Sequence, residues 1–176
     1  MTTTETASNN SKPAEQAQAS EARGATTQFV CFVVDNKQYA LPLDRVERVV
    51  RMVRITPVPA TPAYVEGMID LQGRVIPVVN LRRRFGFDAI PPGLDDRIIV
   101  ANSSERSIAV MVDEVTELLE VPVRQVEPPP PAPRAKARPV GAVIRRNEEL
   151  IMVVDTDRLI PSARHIKALL KGESQE

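Results

Sequence analysis

The chain has 176 residues, of which 43% are hydrophobic and only 3% aromatic, with one cysteine and one histidine. This length predicts one domain, or two small subdomains that share a core. Because basic and acidic residues number 23 each, net charge does not indicate a nucleic-acid partner. One cysteine and one histidine exclude an ordinary zinc site of Cys and His ligands and an intrachain disulfide.

The two ends and one internal segment differ in composition from the rest of the chain. Residues 1–27 contain few large apolar side chains and predict a disordered tail, and residues 171–176 predict a short C-terminal tail. Residues 127–139 contain six prolines and predict an extended loop inside the folded region. Without a signal-like N-terminus or a run of about 18 apolar residues, we expect a cytoplasmic protein with no direct membrane insertion.

Four hairpins are predicted from short runs rich in Val and Ile around polar or glycine-containing turns. Several runs are apolar at every position, which indicates burial on both faces or a tightly curved sheet. Many short strands at this spacing favour barrels or a sandwich. The predicted hairpins comprise residues 29–34 with 38–43, 65–71 with 74–79, 97–101 with 107–112, and 140–144 with 150–154.

Three helices are predicted between these hairpins. The first would begin at Asp44 with Glu47 as its capping-box partner, the second spans residues 80–85 and stops at Gly86, and the third begins near Thr156 or Ser162. The buried face of the first helix would consist of Val46, Val49, Val50 and Val53. The third would present Ile166, Leu169 and Leu170.

Arginines are concentrated in one part of the chain and acids in another. Residues 44–84 hold eight arginines and four acids, whereas residues 88–128 hold nine acids and three arginines. Two solvated surfaces whose charges pair across the fold are the first interpretation, with steering of partners as the alternative. A protein-docking face and a phosphate grip are further interpretations, although scarce aromatics disfavour nucleic acid. The two clusters concerned are Arg45, Arg48 and Arg51, and Arg82, Arg83 and Arg84.

Two groups of acids resemble catalytic or metal sites. Asp155 and Asp157 follow a predicted strand, and we interpret one of them as a helix N-cap. Asp113, Glu114 and Glu117 lie on an amphipathic stretch, where a solvated face is preferred to a cation site because a cation needs several converging oxygens.

The remaining chemistry-bearing residues have structural interpretations. His165 is interpreted as a surface histidine and Cys31 as a buried small hydrophobe. Gly67, Gly73 and Gly141 would serve positive φ angles or close approach of another segment. No nucleotide-binding glycine motif occurs, so no cofactor is expected.

The run VEGMIDLQGRVIPVVNL at residues 65–81 resembles the central signature of CheW-like coupling domains. The resemblance covers residues 28–170. It is also carried by YALPL at 39–43 with Val46, by residues 55–62, 97–100 and 111–117, and by the segment 141–160.

The resemblance implies a mainly β fold of two small five-stranded β-barrels around a shared core, with a few short helices including a C-terminal one. It implies a non-enzymatic adaptor that ties the cytoplasmic tip of a chemoreceptor to a CheA-type histidine kinase in membrane-associated arrays. Other CheW-like domains are further candidate partners. Grooves between and beside the barrels would hold the partners.

Two residues depart from the family pattern. Gln72 stands where typical members carry arginine, and Arg48 stands where they carry an acid, so the partner surface has changed charge. The candidate protein-binding residues are Arg48, Gly67, Gln72, Gly73 and Val75. Alternative hypotheses are an adaptor for surface motility, biofilm or development, a basic-patch nucleic-acid-binding protein and, last, a carboxylate hydrolase.

Overall fold

The computed structural model describes residues 24–131 and 139–160. Within these residues, eleven strands and a few short helical turns form two sheets. The strands are β1 (Thr26–Val34), β2 (Lys37–Pro42), β3 (Val46–Arg51), β4 (Val65–Leu71), β5 (Arg74–Asn80), β6 (Arg97–Asn102), β7 (Ser107–Val112), β8 (Glu114–Pro122), β9 (Val126–Glu127), β10 (Val140–Arg146) and β11 (Glu149–Val154).

The six-stranded subdomain combines the two ends of the described chain, in the order β8-β1-β2-β11-β10-β9. Its hairpins β1–β2 and β10–β11 are joined by parallel pairing of β11 with β2. Alternation along β8 buries Leu119 and Val121 beneath the sheet and leaves Glu120 in solvent. Leu119 and Val121 share a core cluster with Ile144 of β10, so the sheet curls round on itself.

The five-stranded subdomain is the middle of the chain, in the order β3-β6-β7-β5-β4, with β5 parallel to β7. The segment after β3 returns to β4, where Thr56 and Met68 exchange two backbone hydrogen bonds of 2.8 Å. The predicted mainly β fold of two small subdomains is confirmed. The strand number is six instead of five in one of them because the two-residue β9 joins its sheet.

The shared core lies between the two sheets and contains most of the aromatic rings. Tyr39 of β2 stacks on Phe85, with ring centroids 4.7 Å apart, and on Phe32 of β1 at 6.1 Å. Each subdomain also has its own aliphatic cluster inside its sheet. Val and Ile fill these small interiors, as the composition predicted, because branched side chains pack well on a pleated surface.

The helix predicted to begin at Asp44 is wrong. Leu43–Arg45 form one 3-10 turn without a side-chain cap, and the valines that follow lie in β3, which pairs with β6. Three apolar residues at positions 46, 49 and 50 fit both a helical face and an irregular edge strand, and β3 does contain a bulge after Val46. The run of residues 46–50 alone does not distinguish a helix from a strand, and the pairing with β6 makes it a strand.

The second predicted helix is confirmed as α1 (Leu81–Phe85). The Asn80 side chain accepts a hydrogen bond from the Arg83 amide, and Gly86 ends the helix at φ 79°. At the third predicted helix, Thr156–Arg158 form a 3-10 turn, and residues 161–176 lie outside the described residues.

The predicted tail and proline-rich loop are described only in part. β1 begins at Thr26, two residues before the predicted start of the domain at residue 28, and pairs there with Pro122 of β8. Residues 1–23 and 132–138 lie outside the described residues.

Candidate protein-interaction site

All five candidate residues lie in the five-stranded subdomain. Arg48 is in β3, Gly67 in β4 and Val75 in β5, while Gln72 and Gly73 form the turn between β4 and β5. β3 and β4 are the two edges of this sheet. The structure brings β3 close to the β4–β5 hairpin because the sheet curls, as the contact of Glu47 with Arg74 described below shows.

The β4–β5 turn is a tight, exposed tip. Gln72 and Gly73 both have positive φ angles, 55° and 83°, which is the type I′ geometry of tight hairpins. The Gly73 amide donates a hydrogen bond of 2.7 Å to the Asp70 carboxylate. A Cβ on Gly73 would meet nothing within 4 Å, so the backbone of this tip is open to a partner.

Gly67 lies against the segment that closes the five-stranded subdomain. It is buried at φ 147°, and a Cβ at this position would lie 2.1 Å from the carbonyl oxygen of Thr56. The segment that closes the five-stranded subdomain therefore occupies the space that a partner would need. The glycine signal was detected in the sequence, but the approaching segment is part of the same chain.

A charged trio joins edge strand β3 to the start of β5, beside the β4–β5 turn. The Glu47 carboxylate accepts hydrogen bonds from Arg48 at 3.2 Å and from Arg74 at 2.5 Å. Both guanidinium groups stay close to half exposed, so the trio presents one excess positive charge to solvent. Within the described chain, Arg51 and Arg54, which follow Arg48 in sequence, form no ion pair, so this part of the chain also carries excess positive charge.

The five-stranded subdomain also exposes apolar side chains. Val75 is 63% exposed beside Arg74, and Val49 of β3 is 42% exposed. Val75, Met68 and Pro77 line a shallow depression whose rim carries Arg74 and Arg106. Aliphatic surface rimmed by arginine is typical of surfaces that bind other proteins.

The second arginine cluster, Arg82 to Arg84, forms contacts with other residues of the same chain. Arg82 makes a two-pronged pair with Asp113, at 2.9 and 2.6 Å, and a third hydrogen bond of 3.0 Å to Asp35. Its hydrogen bonds to Asp113, more than any other contact, raise the pKa of the Arg82 guanidinium further above its usual range.

The other two arginines of this cluster also have partners within the protein. Arg83 pairs with Glu66 at 3.1 Å, and Arg84 donates to the carbonyl oxygens of Leu159 and Arg158. These contacts favour the first interpretation of the arginines, in which charges pair across the fold, over a phosphate grip.

The acids singled out from the sequence also have structural partners. Asp155 caps the 3-10 turn by accepting the Asp157 amide at 3.0 Å, as predicted, and Asp157 accepts the Ser104 amide at 2.6 Å. That hydrogen bond from Ser104 lowers the pKa of Asp157. Glu117 pairs with Arg146 at 2.6 Å. Within residues 24–131 and 139–160, His, Cys, Asp and Glu side chains form no group suited to a metal ion.

Cys31 is buried among aliphatic side chains, and desolvation raises the pKa of its thiol to about 11. This agrees with the interpretation as a small hydrophobe. His165 lies outside the described residues. No described helix is long and apolar enough to cross a membrane.

Sequence reasoning missed one exposed apolar residue on the other subdomain. Leu118 of β8 is 59% exposed, on the face of the strand that also carries Glu114, Thr116 and Glu120. Exposure alternates along β8, but polarity does not, because Glu117 takes an inward position and Leu118 an outward one. The sequence pattern of an amphipathic stretch therefore does not separate the outward Leu118 from the buried Leu119.

Comparison with solved structures shows which class of protein has this architecture. The scaffolding protein TtCheW from Thermoanaerobacter tengcongensis superimposes with a TM-score of 0.73 at 29% identity, covering 79% of this chain and 95% of that structure. The class is thus a β scaffold of two subdomains around a shared core.

The sequence comparisons are more specific. The CheW-like domain family matches residues 28–164. A chemotaxis protein CheW from Rhizobium meliloti is 32% identical over 139 residues, 77% of this chain and 88% of the relative. Protein FrzA from Myxococcus xanthus is 30% identical over 152 residues, 85% of this chain and 94% of the relative. The chain belongs to the CheW-like domain family and is a chemosensory scaffold protein.

Proposed function

We propose that this scaffold binds a CheA-type histidine kinase and the cytoplasmic tip of a chemoreceptor at the same time, in the cytoplasm, and catalyses no reaction itself. The observation that carries this proposal is the family match over residues 28–164 together with the two-subdomain fold. Function then consists of holding two partners at a fixed spacing, which raises the effective concentration of one partner at the other.

The five-stranded subdomain would contribute one docking surface, made of Arg48, the Gln72–Gly73 turn and Val75. The turn is tight and exposed, Val75 is 63% exposed and the trio around Glu47 carries an excess positive charge. A partner for this surface carries an aliphatic patch with acidic residues around it. Gly67 is left out of this surface because it is buried.

The test uses purified regulatory domain of the kinase and receptor cytoplasmic fragment encoded in the same genome. Arg48→Glu should lower the affinity for one of the two partners at least tenfold, since it places an acid where the partner is acidic, and should leave the other affinity unchanged. Gln72→Arg should change affinity for the same partner. Leu150→Ser, an exposed site on the six-stranded subdomain, is the control. Absence of binding to both partners by the unaltered protein would refute the adaptor function, and unchanged binding by both variants would refute this surface alone.

An adaptor in a pathway other than chemotaxis is the second candidate. It is favoured by the departures at Arg48 and Gln72 and by the match to a relative that is named protein FrzA instead of a chemotaxis protein. If the kinase and receptor that bind are encoded beside flagellar genes, this candidate is wrong.

A further inference from the structure

α1 lies where the two subdomains meet. It follows β5 of the five-stranded subdomain, yet Leu81 and Phe85 are buried in the shared core, and the Phe85 ring stacks on Tyr39 of the six-stranded subdomain. This five-residue helix therefore contributes to both halves.

Polar contacts from α1 reach the six-stranded subdomain on two sides. Arg82 bonds Asp35, in the β1–β2 turn, and Asp113, which joins β7 to β8. The Asp35 amide in turn donates to Asp113 at 2.9 Å, and the Asp113 amide donates to the Val33 carbonyl at 3.0 Å. One guanidinium thus connects three segments at the point where the chain crosses from one sheet to the other.

The second contact of α1 is with the residues that follow β11, the last strand of the six-stranded subdomain. Arg84 donates two hydrogen bonds of 3.0 Å to the carbonyl oxygens of Arg158 and Leu159. Its guanidinium also lies 5.0 Å from the ring centre of Tyr64, in the five-stranded subdomain. Arg83, between these two arginines, pairs with Glu66 inside its own subdomain, and among residues 24–131 and 139–160 its side chain forms no ion pair with the other subdomain.

We propose that α1 is a clasp that fixes the relative orientation of the two subdomains, with Arg82 as the positioning residue. The hydrophobic effect that buries the shared core is non-directional, whereas a two-pronged guanidinium–carboxylate pair has one geometry. The Arg82 side chain is only 16% exposed, so solvent screens its ion pairs less than those at the surface. The consequence, which rests on the proposed function, is that partners docked on different subdomains are held at one spacing.

The experiment measures the distance distribution between two spin labels by pulsed electron paramagnetic resonance. The labels are attached through Glu148→Cys in the six-stranded subdomain and Ala63→Cys in the five-stranded subdomain, both exposed positions. Cys31 does not interfere because it is buried and its thiol pKa is about 11. The unaltered clasp should give one narrow distribution. Arg82→Met, which keeps the aliphatic stem, should broaden or shift it, and Arg82→Lys should do so less.

Arg83→Met is the matched control, since it removes a neighbouring arginine whose ion pair stays within one subdomain. It should leave the distribution unchanged. If Arg82→Met and Arg83→Met give the same distribution as the unaltered protein, the clasp is refuted. Should Arg82→Met fail to fold, Asp35→Gly removes the acceptor on the β1–β2 turn and suits a residue with φ 53°. A distribution unaltered by that change would refute the role of Arg82 equally.

The functional consequence has its own readout. Arg82→Met should bind the kinase domain alone and the receptor fragment alone with unchanged affinity, but should form the ternary complex roughly tenfold less tightly. An unchanged ternary complex with an altered distance distribution would leave the clasp in place and refute its contribution to assembly. Failure of the unaltered protein to bind either partner would refute the proposed function and not the clasp.

Discussion

Each subdomain contains two antiparallel hairpins joined by one parallel strand pair, β11 with β2 in the six-stranded subdomain and β5 with β7 in the five-stranded subdomain. The two subdomains differ in the contacts that connect distant strands of each curled sheet. Backbone hydrogen bonds between Thr56 and Met68 close the five-stranded subdomain, whereas the Glu117–Arg146 ion pair spans from β8 to β10 in the six-stranded one. The backbone contact in the five-stranded subdomain requires glycine at position 67, because a side chain there would meet Thr56. The ion pair in the six-stranded subdomain requires no glycine.

The largest effect is therefore expected for Gly67→Ala. A methyl group 2.1 Å from the Thr56 carbonyl oxygen, at φ 147°, forces the closing segment off β4. We expect a loss of about 3 kcal/mol in the free energy of unfolding, measured by urea denaturation. Gly73→Ala is the control with a positive φ but open space, and should cost about 1 kcal/mol. Equal losses for the two variants would show that backbone closure is not the constraint.

A second prediction asks whether damage in one subdomain reaches the other. Cys31 lies inside the six-stranded subdomain, where its raised pKa and burial make native labelling by a thiol reagent slow. Because the shared core connects both sheets, we expect cooperative unfolding, so Gly67→Ala should accelerate Cys31 labelling roughly 100-fold, the factor equivalent to its loss of stability. Labelling at the unaltered rate would mean that the five-stranded subdomain opens by itself.

The hairpins were predictable because local chemistry specifies them. Asp35 and Asn36, and likewise Gln72 and Gly73, have the positive φ angles that polar and glycine residues adopt readily. Asn80 and Gly86 similarly specified both ends of α1. These signals depend on neighbours in sequence, so no tertiary information was needed.

The failures involve contacts that are distant in sequence. The run of residues 44–53 predicts a helix where the structure has β3, because the pairing of β3 with β6 is not visible in that run. The sequence predicts close approach of another segment at Gly67, but only the folded chain shows that this segment is Thr56. The clasp role of Arg82 needed three segments that are brought together only by folding. The fold was thus more predictable than the roles of single residues on it.

The side-chain closure of the six-stranded subdomain should tolerate substitution. Glu117 and Arg146 are 39% and 42% exposed, and a pair of this exposure contributes about 0.5 kcal/mol. A double-mutant cycle of Glu117→Gln and Arg146→Gln, followed by urea denaturation, measures that coupling. The more exposed pair of Arg145 with Glu127 is the control and should show less. A coupling as large as the effect of Gly67→Ala would contradict the distinction between the two closures.

The smallest effect concerns the contact of Asp157 with the β6–β7 turn, a tie between the subdomains beside the clasp. The Ser104 amide lowers the pKa of this carboxyl below its ordinary value of 3.8. The folded protein then binds fewer protons than the unfolded chain, so the contribution to stability is present above pH 3.8 and is lost as the pH falls through the folded pKa. Asp157→Asn should be slightly less stable at pH 7, and the difference should shrink below pH 4. Asp88→Asn is the control, since Asp88 is exposed and its carboxylate has no hydrogen bond in the described chain; its stability difference from the unaltered protein should not shrink in this way. If the difference for Asp157→Asn grew on acidification, the Ser104 contact would not favour the charged carboxylate.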